Sequence, residues 1–315
     1  MSTVVVGSIA LDSVQTPFGE SKEALGGTAV FFAAGACHFT DVNVVGVVGT
    51  DFPDEHIGFL ESRCNLDGLR REEGRTFRWV GHYDENMNVA HTLDTQLNVF
   101  ELFRPHLPTS YRNARTVFLG NIHPELQLEV LSQTDSPDLI ALDTMNFWIE
   151  RTPEALRQVI GKVDIVLVNE DEARQFAGVY KISEAARFIR ELGPHTVVIK
   201  RGEYGSAIYG DDTYFALPAF PSERVWDTTG AGDSFAGGFL GYLDGILTVT
   251  PAELRRALAF GTVVASFAVE NFSVTGLQDL AMPQLEHRYE MLRELTAIEP
   301  VSSNERYSEP VRLRA

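Results

Sequence analysis

The chain has 315 residues, of which 44% are hydrophobic and 22% charged, a composition that fits a folded globular protein and excludes global disorder. Acidic residues outnumber basic ones 44 to 26, for a formal charge of −18. Such a field repels nucleic acid and anionic membrane surfaces and argues against both as partners. Two cysteines, Cys37 and Cys64, show no zinc spacing, and the eight histidines fall singly, so each reads as structural or exposed. The chain opens on the strand-like run Thr3-Val4-Val5-Val6 without a basic start or apolar signal core, and no segment is long enough to span a bilayer. These features predict a cytoplasmic location.

Taken in chain order, a strand at 4–9 leads through a polar connection at 12–25 to a helix at 28–38. A strand at 42–48 and a helix at 54–64 follow. Residues 75–104 then change period. Phe77 and Trp79, the turn-like Asp84-Glu85-Asn86 and an alternation from Val89 to Phe103 predict antiparallel strands rather than another βα unit. Beyond them, strands at 116–120, 139–143, 165–169 and 196–200 alternate with helices at 125–133, 153–161 and 183–192. Thr152-Pro153 reads as an N-cap followed by an N1 proline. Continuous apolar strands between helices imply a mostly parallel sheet covered on both faces. No linker-like stretch divides the chain. The expectation is one α/β domain over 1–300 with a small β-flap, then a polar tail at 301–315.

The most informative segment is Asp227-Thr228-Thr229-Gly230-Ala231-Gly232-Asp233-Ser234-Phe235-Ala236-Gly237-Gly238-Phe239. Its small residues permit a tight turn with unobstructed amides, and a helical pattern follows at once. Unpaired N–H groups backed by a helix dipole suit a phosphoryl group. A carboxylate in that first turn, Asp233, is placed to accept a proton from an attacking hydroxyl. The plainer reading is a capped helix start with an acidic first turn, stabilising by about 0.3–1 kcal/mol. There is no P-loop, no Gly-x-Gly-x-x-Gly after the first strand and no Gly-x-Ser-x-Gly elbow, which argues against those classes of enzyme.

This string closely resembles the signature of the ribokinase-like (PfkB) carbohydrate kinase family, and further features in family order extend the resemblance over nearly the whole chain. Gly7-Ser8-Ile9-Ala10-Leu11-Asp12 resembles the first strand ending in a substrate-binding Asp, and Gly26-Gly27 the glycine pair that brings backbone close to substrate. Asn169-Glu170-Asp171-Glu172 fits the Asn-x-x-Glu element of the magnesium–phosphate network. Lys200-Arg201-Gly202-Glu203-Tyr204-Gly205 resembles the strand end and Gly-x-x-Gly turn beside the nucleotide.

The resemblance implies a three-layer α/β/α fold with a β-flap lid built from 12–25 and 75–104, a lid that in the family often provides a dimer interface. It implies ATP as donor, Mg²⁺ near Asn169 and Glu172, and Asp233 as catalytic base. Gly230, Ala231 and Gly232 would form the anion hole. Lys200, Gly202, Gly205 and Thr228 would meet the nucleotide, and Asp12, Gly26 and Gly27 the acceptor. Asp227 and Thr229 match positions that bind a monovalent cation such as K⁺ in some members, although 268–273 carries no clear match.

One departure stands out. Where many sugar-kinase members have Asn, four positions beyond the second glycine, this chain has Phe31. A benzyl group cannot replace carboxamide hydrogen bonds. Phe31 therefore either stacks on a nucleobase or less polar substrate, or belongs to the core. The sequence reading is a small-molecule kinase acting on a sugar hydroxyl. A nucleoside kinase of the same fold is the alternative, and a catalytically silent ligand sensor is the rival from another class.

Overall fold

The computed structural model describes residues 2–211 and 213–299; the tail expected at 301–315 lies outside the described residues. Its strands are β1 (Ser2–Val6), β2 (Ala10–Thr16), β3 (Gly19–Gly26), β4 (Asp41–Gly49), β5 (Asn65–Glu72), β6 (Phe77–Tyr83), β7 (Ala90–Gln96), β8 (Thr116–Leu119), β9 (Leu139–Asp143), β10 (Ile165–Asn169), β11 (Thr196–Lys200), β12 (Ser206–Gly210) and β13 (Tyr214–Leu217). The helices are α1 (Thr28–Ala36), α2 (Asp54–Glu61), α3 (Pro124–Leu131), α4 (Asn146–Arg151), α5 (Pro153–Ile160), α6 (Glu170–Ala177), α7 (Ile182–Arg190), α8 (Ala231–Asp244), α9 (Pro251–Ala268), α10 (Thr275–Gln278) and α11 (Met282–Leu295). No helix among the described residues is long and apolar enough to cross a membrane.

The large sheet has the order β13-β12-β11-β10-β9-β8-β1-β4-β5. It is parallel from β11 through β5, and only the β12–β13 hairpin at one edge runs antiparallel. The β-branched runs are apolar on both sides because both faces are covered. Val5, Phe118, Leu167 and Val198 enter a core with α1, α8 and α9. Their neighbours Val4, Val6, Val117, Leu119, Val166, Val168, Val197 and Ile199 enter a second core with α5, α6 and α7. Strand order reverses at β1, which has β4 on one side and β8 on the other; ligands of such sheets collect beyond the carboxyl ends at that reversal.

Helix α1 is buried at every residue, which is why its sequence shows no polar stripe. Phe32 is fully buried and stacks on Phe118 of β8, ring centroids 4.4 Å apart.

A separate four-stranded sheet, β3-β2-β6-β7, forms the lid. β2 with β3 and β6 with β7 are antiparallel, while β2 and β6 are parallel. Two expectations need revision. The first strand stops at Val6, before 7–9, and residues 12–25, which read from their polarity as a connection, form two lid strands joined by a turn at 17–18, in line with the lid that the family resemblance implied. Their polarity reflects exposure: β3 is largely solvent-facing and carries the charges of an uncovered strand. Edge strand β5 and the β12–β13 hairpin escaped the sequence pattern as well; in β5 too, exposure masks the apolar signal.

Phe32→Ala should destabilise the fold by about 3–5 kcal/mol, read as a lowered denaturant midpoint at unchanged slope, because it empties a site closed by both α1 and the sheet.

Candidate active site

Strands β9, β10 and β11 end side by side in Asp143, Asn169 and Lys200. Lys200 Nζ lies 2.5 Å from Asp143 Oδ2, with the two side chains 16% and 5% exposed. Burial alone would lower the lysine pKa, but the carboxylates of Asp143, Glu172 and Asp233 outweigh it and hold the ammonium above its ordinary value. Asp143 was not singled out in the sequence, although it closes an expected strand at the end where ligands of parallel sheets gather.

Opposite these strand ends, helix α8 begins. Its N-cap, Gly230, has φ 73°, and a Cβ there would sit 2.2 Å from the Phe31 ring, so both backbone conformation and space demand glycine. A Cβ on Gly232 would come 3.0 Å from Lys200 Nζ. The ammonium and the positive end of the α8 dipole therefore meet at one spot. Of the amides expected to line an anion hole, that of Ala231 donates to the Thr228 carbonyl at 3.2 Å in this conformation.

Asp233 lies in the first turn of α8. Burial and then the nearby Asp143 push its pKa up to about 7, against the lowering effects of Lys200 and a hydrogen bond from Thr28. Thr28 opens α1 directly after the glycine pair; sequence reasoning missed it because a threonine at a helix start reads as ordinary capping.

Asp12 does not end the first strand as expected. It sits inside lid strand β2, 8% exposed, with its carboxylate directly over Gly26. A Cβ on Gly26 would fall 1.9 Å from Asp12 Oδ2. Burial and then Asp227 raise the Asp12 pKa to about 7, a backbone hydrogen bond from Gly27 opposes them, and Asp233 adds to the rise. The glycine pair thus makes room for a carboxylate. Beside it, a small cavity is lined by Asp12, Val14, Leu25, Phe31, Asp227 and Thr229. Phe31, 2% exposed, is at once core and cavity wall.

Asn169 caps α6 and forms a reciprocal capping box with Glu172: Glu172 N donates to Asn169 Oδ1 at 2.8 Å, and Asn169 N to Glu172 Oε2 at 2.9 Å. Burial and then Asp143 raise the Glu172 pKa to about 7, with Lys200 and the Asn169 amide opposing. Gly202 and Gly205 bracket the turn after β11.

The lid tip rests on this machinery. Thr228 Oγ1 donates to the Met87 carbonyl at 2.7 Å, Thr229 Oγ1 to the Tyr83 hydroxyl at 3.1 Å, and Asn88 Nδ2 to Glu203 at 3.0 Å. Asp227 accepts from the amides of Thr229 at 2.8 Å and Ser273 at 3.5 Å, so the unmatched 268–273 stretch does reach it. Burial raises the Asp227 pKa, with the Thr229 and Ser273 hydrogen bonds opposing. The lid contacts of Tyr83, Met87 and Asn88 had no sequence signal, since they depend on where a hairpin folds back.

Carboxylate and amide oxygens at Asp143, Asn169 and Glu172 are the hard donors that suit Mg²⁺. An ammonium at a helix N-terminus suits a phosphoryl group. A carboxylate poised near neutrality suits proton transfer from a hydroxyl.

Comparison with known proteins agrees with this chemistry. The family described as pfkB family carbohydrate kinase matches residues 118–279. The cytidine kinase of Thermococcus kodakarensis is 31% identical over 258 residues, covering 78% of this chain and 90% of that protein. In fold, the nucleoside kinase of Methanocaldococcus jannaschii superposes with a TM-score of 0.74 at 22% identity, covering 92% of this chain and 99% of that one. The ribokinase of Thermotoga maritima does so with 0.73 at 22%, again over 92% and 99%.

The raised pKa of Asp233 gives a stability test. Between its unfolded value near 3.8 and about 7, the folded carboxyl holds a proton that the unfolded chain has lost, so its contribution to stability falls as pH rises through that window. Asp233→Asn should therefore melt close to the parent below about pH 4, progressively above it as pH rises to about 7, and by a constant margin beyond that, in paired thermal melts without nucleotide.

Proposed function

Because the chain belongs to the pfkB family of carbohydrate kinases, we propose that this phosphotransferase with an alcohol acceptor is an ATP- and Mg²⁺-dependent nucleoside kinase. The observation that carries the chemistry is Asp233 in the first turn of α8, beside Lys200 and across from Asp12. Two observations favour a nucleoside over a plain sugar. A relative 31% identical to this chain, matched across 90% of its own length, is a cytidine kinase. Phe31 also gives the cavity an aromatic wall where a carboxamide would serve sugar hydroxyls.

In this reading the acceptor lies under the lid, with ribose hydroxyls donating to Asp12 above Gly26 and Gly27. Asp233 accepts the proton of the attacking hydroxyl as that oxygen bonds to the γ-phosphorus of ATP and the bond from that phosphorus to the departing ADP oxygen breaks. Lys200 and the α8 N-terminus, with Gly230 and Gly232 keeping the approach open, hold the charge of the transferring group. Mg²⁺ held near Asn169 and Glu172 supplies charge neutralisation for the nucleotide phosphates. The Gly202–Gly205 turn flanks the nucleotide. The lid, anchored through Tyr83, Met87 and Asn88, excludes water that would otherwise compete as acceptor. Asp227 and Thr229 shape the loop that leads into α8, through the Asp227 bond to the Thr229 amide.

The test is ADP release from Mg·ATP with cytidine, other nucleosides, ribose and fructose offered in turn. Acceptor-dependent turnover with a nucleoside, lowered roughly 10²–10⁴-fold in Asp233→Asn, is the expected result. Turnover with ribose or fructose but no nucleoside would return the assignment to a sugar kinase. ATP binding without turnover on any acceptor would favour the silent sensor.

A further inference from the structure

Outside the nucleotide and acceptor sites, the lid carries a second constellation. Strands β6 and β7 pair so that His82 stands directly opposite His91, and Asp84 follows one residue after β6 ends. In sequence the two histidines are separated by a turn and look unrelated; antiparallel register brings them together. Their rings stack with centroids 4.8 Å apart at 20°. His91 Nε2 lies 2.9 Å from Asp84 Oδ2, and His82 Nε2 lies 3.8 Å from Asp84 Oδ1. One ligand atom from each of the three residues falls within 4.8 Å of the others.

We propose that His82, Asp84 and His91 form a zinc site on the outer part of the lid. Two imidazoles and one carboxylate are a donor set suited to Zn²⁺, which takes N and O ligands at about 2.0–2.2 Å in tetrahedral array and leaves a fourth position for water. Ligand atoms that far from a tetrahedral ion stand about 3.3–3.6 Å from one another. The separations from Asp84, 2.9 and 3.8 Å, lie on either side of this range, and the stacked imidazoles would turn about their side-chain bonds to bring both nitrogens onto one ion. Nitrogen donors also separate this site from the oxygen-only set at Asp143, Asn169 and Glu172, which suits Mg²⁺.

The site has a structural consequence. All three ligands belong to one hairpin, at the base of the tip that bonds Thr228 through Met87 and Glu203 through Asn88. Tyr83, which bonds Thr229, lies between two of the ligands in sequence. A bound ion would cross-link the two strands just where the tip departs.

The experiment is a Zn²⁺ titration of the full chain in excess Mg²⁺, followed by calorimetry and by ¹⁵N shifts of the histidine side chains. One equivalent should bind, shifting two imidazoles of the chain. Binding should be lost in His82→Ala and in His91→Ala, weakened in Asp84→Asn, and retained in His195→Ala, whose imidazole pairs with Asp211 elsewhere. No binding by the parent, equal binding by His82→Ala and His91→Ala, or shifts confined to other histidines would overturn the proposal. The imidazole shifts of the parent decide the matter even if a variant folds poorly.

Discussion

The site is organised by a charge imbalance that the fold cannot relieve by itself. Asp12, Asp143, Glu172, Asp227 and Asp233 converge around the start of α8, and Lys200 is the ammonium embedded among them. In an ordinary interior this would be a defect, because each carboxylate loses hydration and repels the next. The cost appears as pKa values of Asp12, Asp233 and Glu172 raised to about 7. Such a crowd makes chemical sense where a divalent cation completes the balance and a proton must be accepted near neutrality. The local excess is of the same sign as the whole chain, at −18, so in the proposed reading Lys200 and the α8 dipole supply the attraction for phosphate close in.

The parts that hold this crowd are cheap in residues and strict in geometry. Gly230 must be left-handed and must clear Phe31, and Gly26 must leave room for Asp12. The converging groups come from different layers: Asp12 from the lid, Asp143 and Lys200 from strand ends, Asp233 from a helix. Lid docking through Thr228 and Thr229 links the first layer to the last. In the proposed reading, a phosphoryl-transfer site assembled in this way is complete only with the lid down, which would tie water exclusion to catalytic competence.

Much of this was legible in the sequence, and what was not has identifiable causes. The parallel strands were visible because double-sided burial writes continuous apolar runs such as Ile165–Asn169. The Asp227–Phe239 stretch was visible because glycine and small residues cluster only where backbone must turn tightly. From residue pattern alone lid strands β2 and β3 looked like a connection, since exposure on one side fills them with Gln, Glu, Ser and Lys, and only the family resemblance placed 12–25 in the lid. Asp143 and Thr28 went unnoticed because an Asp at a strand end and a Thr at a helix start have ordinary explanations, and only the third dimension sets them beside Lys200 and Asp233. Phe31 could not be assigned to core or cavity from sequence because it serves both.

The central claim is that Asp233 takes the proton of the acceptor hydroxyl from a site where burial has raised its pKa. The pH dependence of kcat/KM with the best acceptor, at subsaturating Mg·ATP, tests it most directly, since that parameter reports the free enzyme. The account predicts an acid limb with its inflection near neutrality, the rate falling as the carboxyl gains a proton toward about pH 5. A profile flat from about pH 5 to about pH 8 would contradict it, because a base protonated over half that range could not sustain a constant rate.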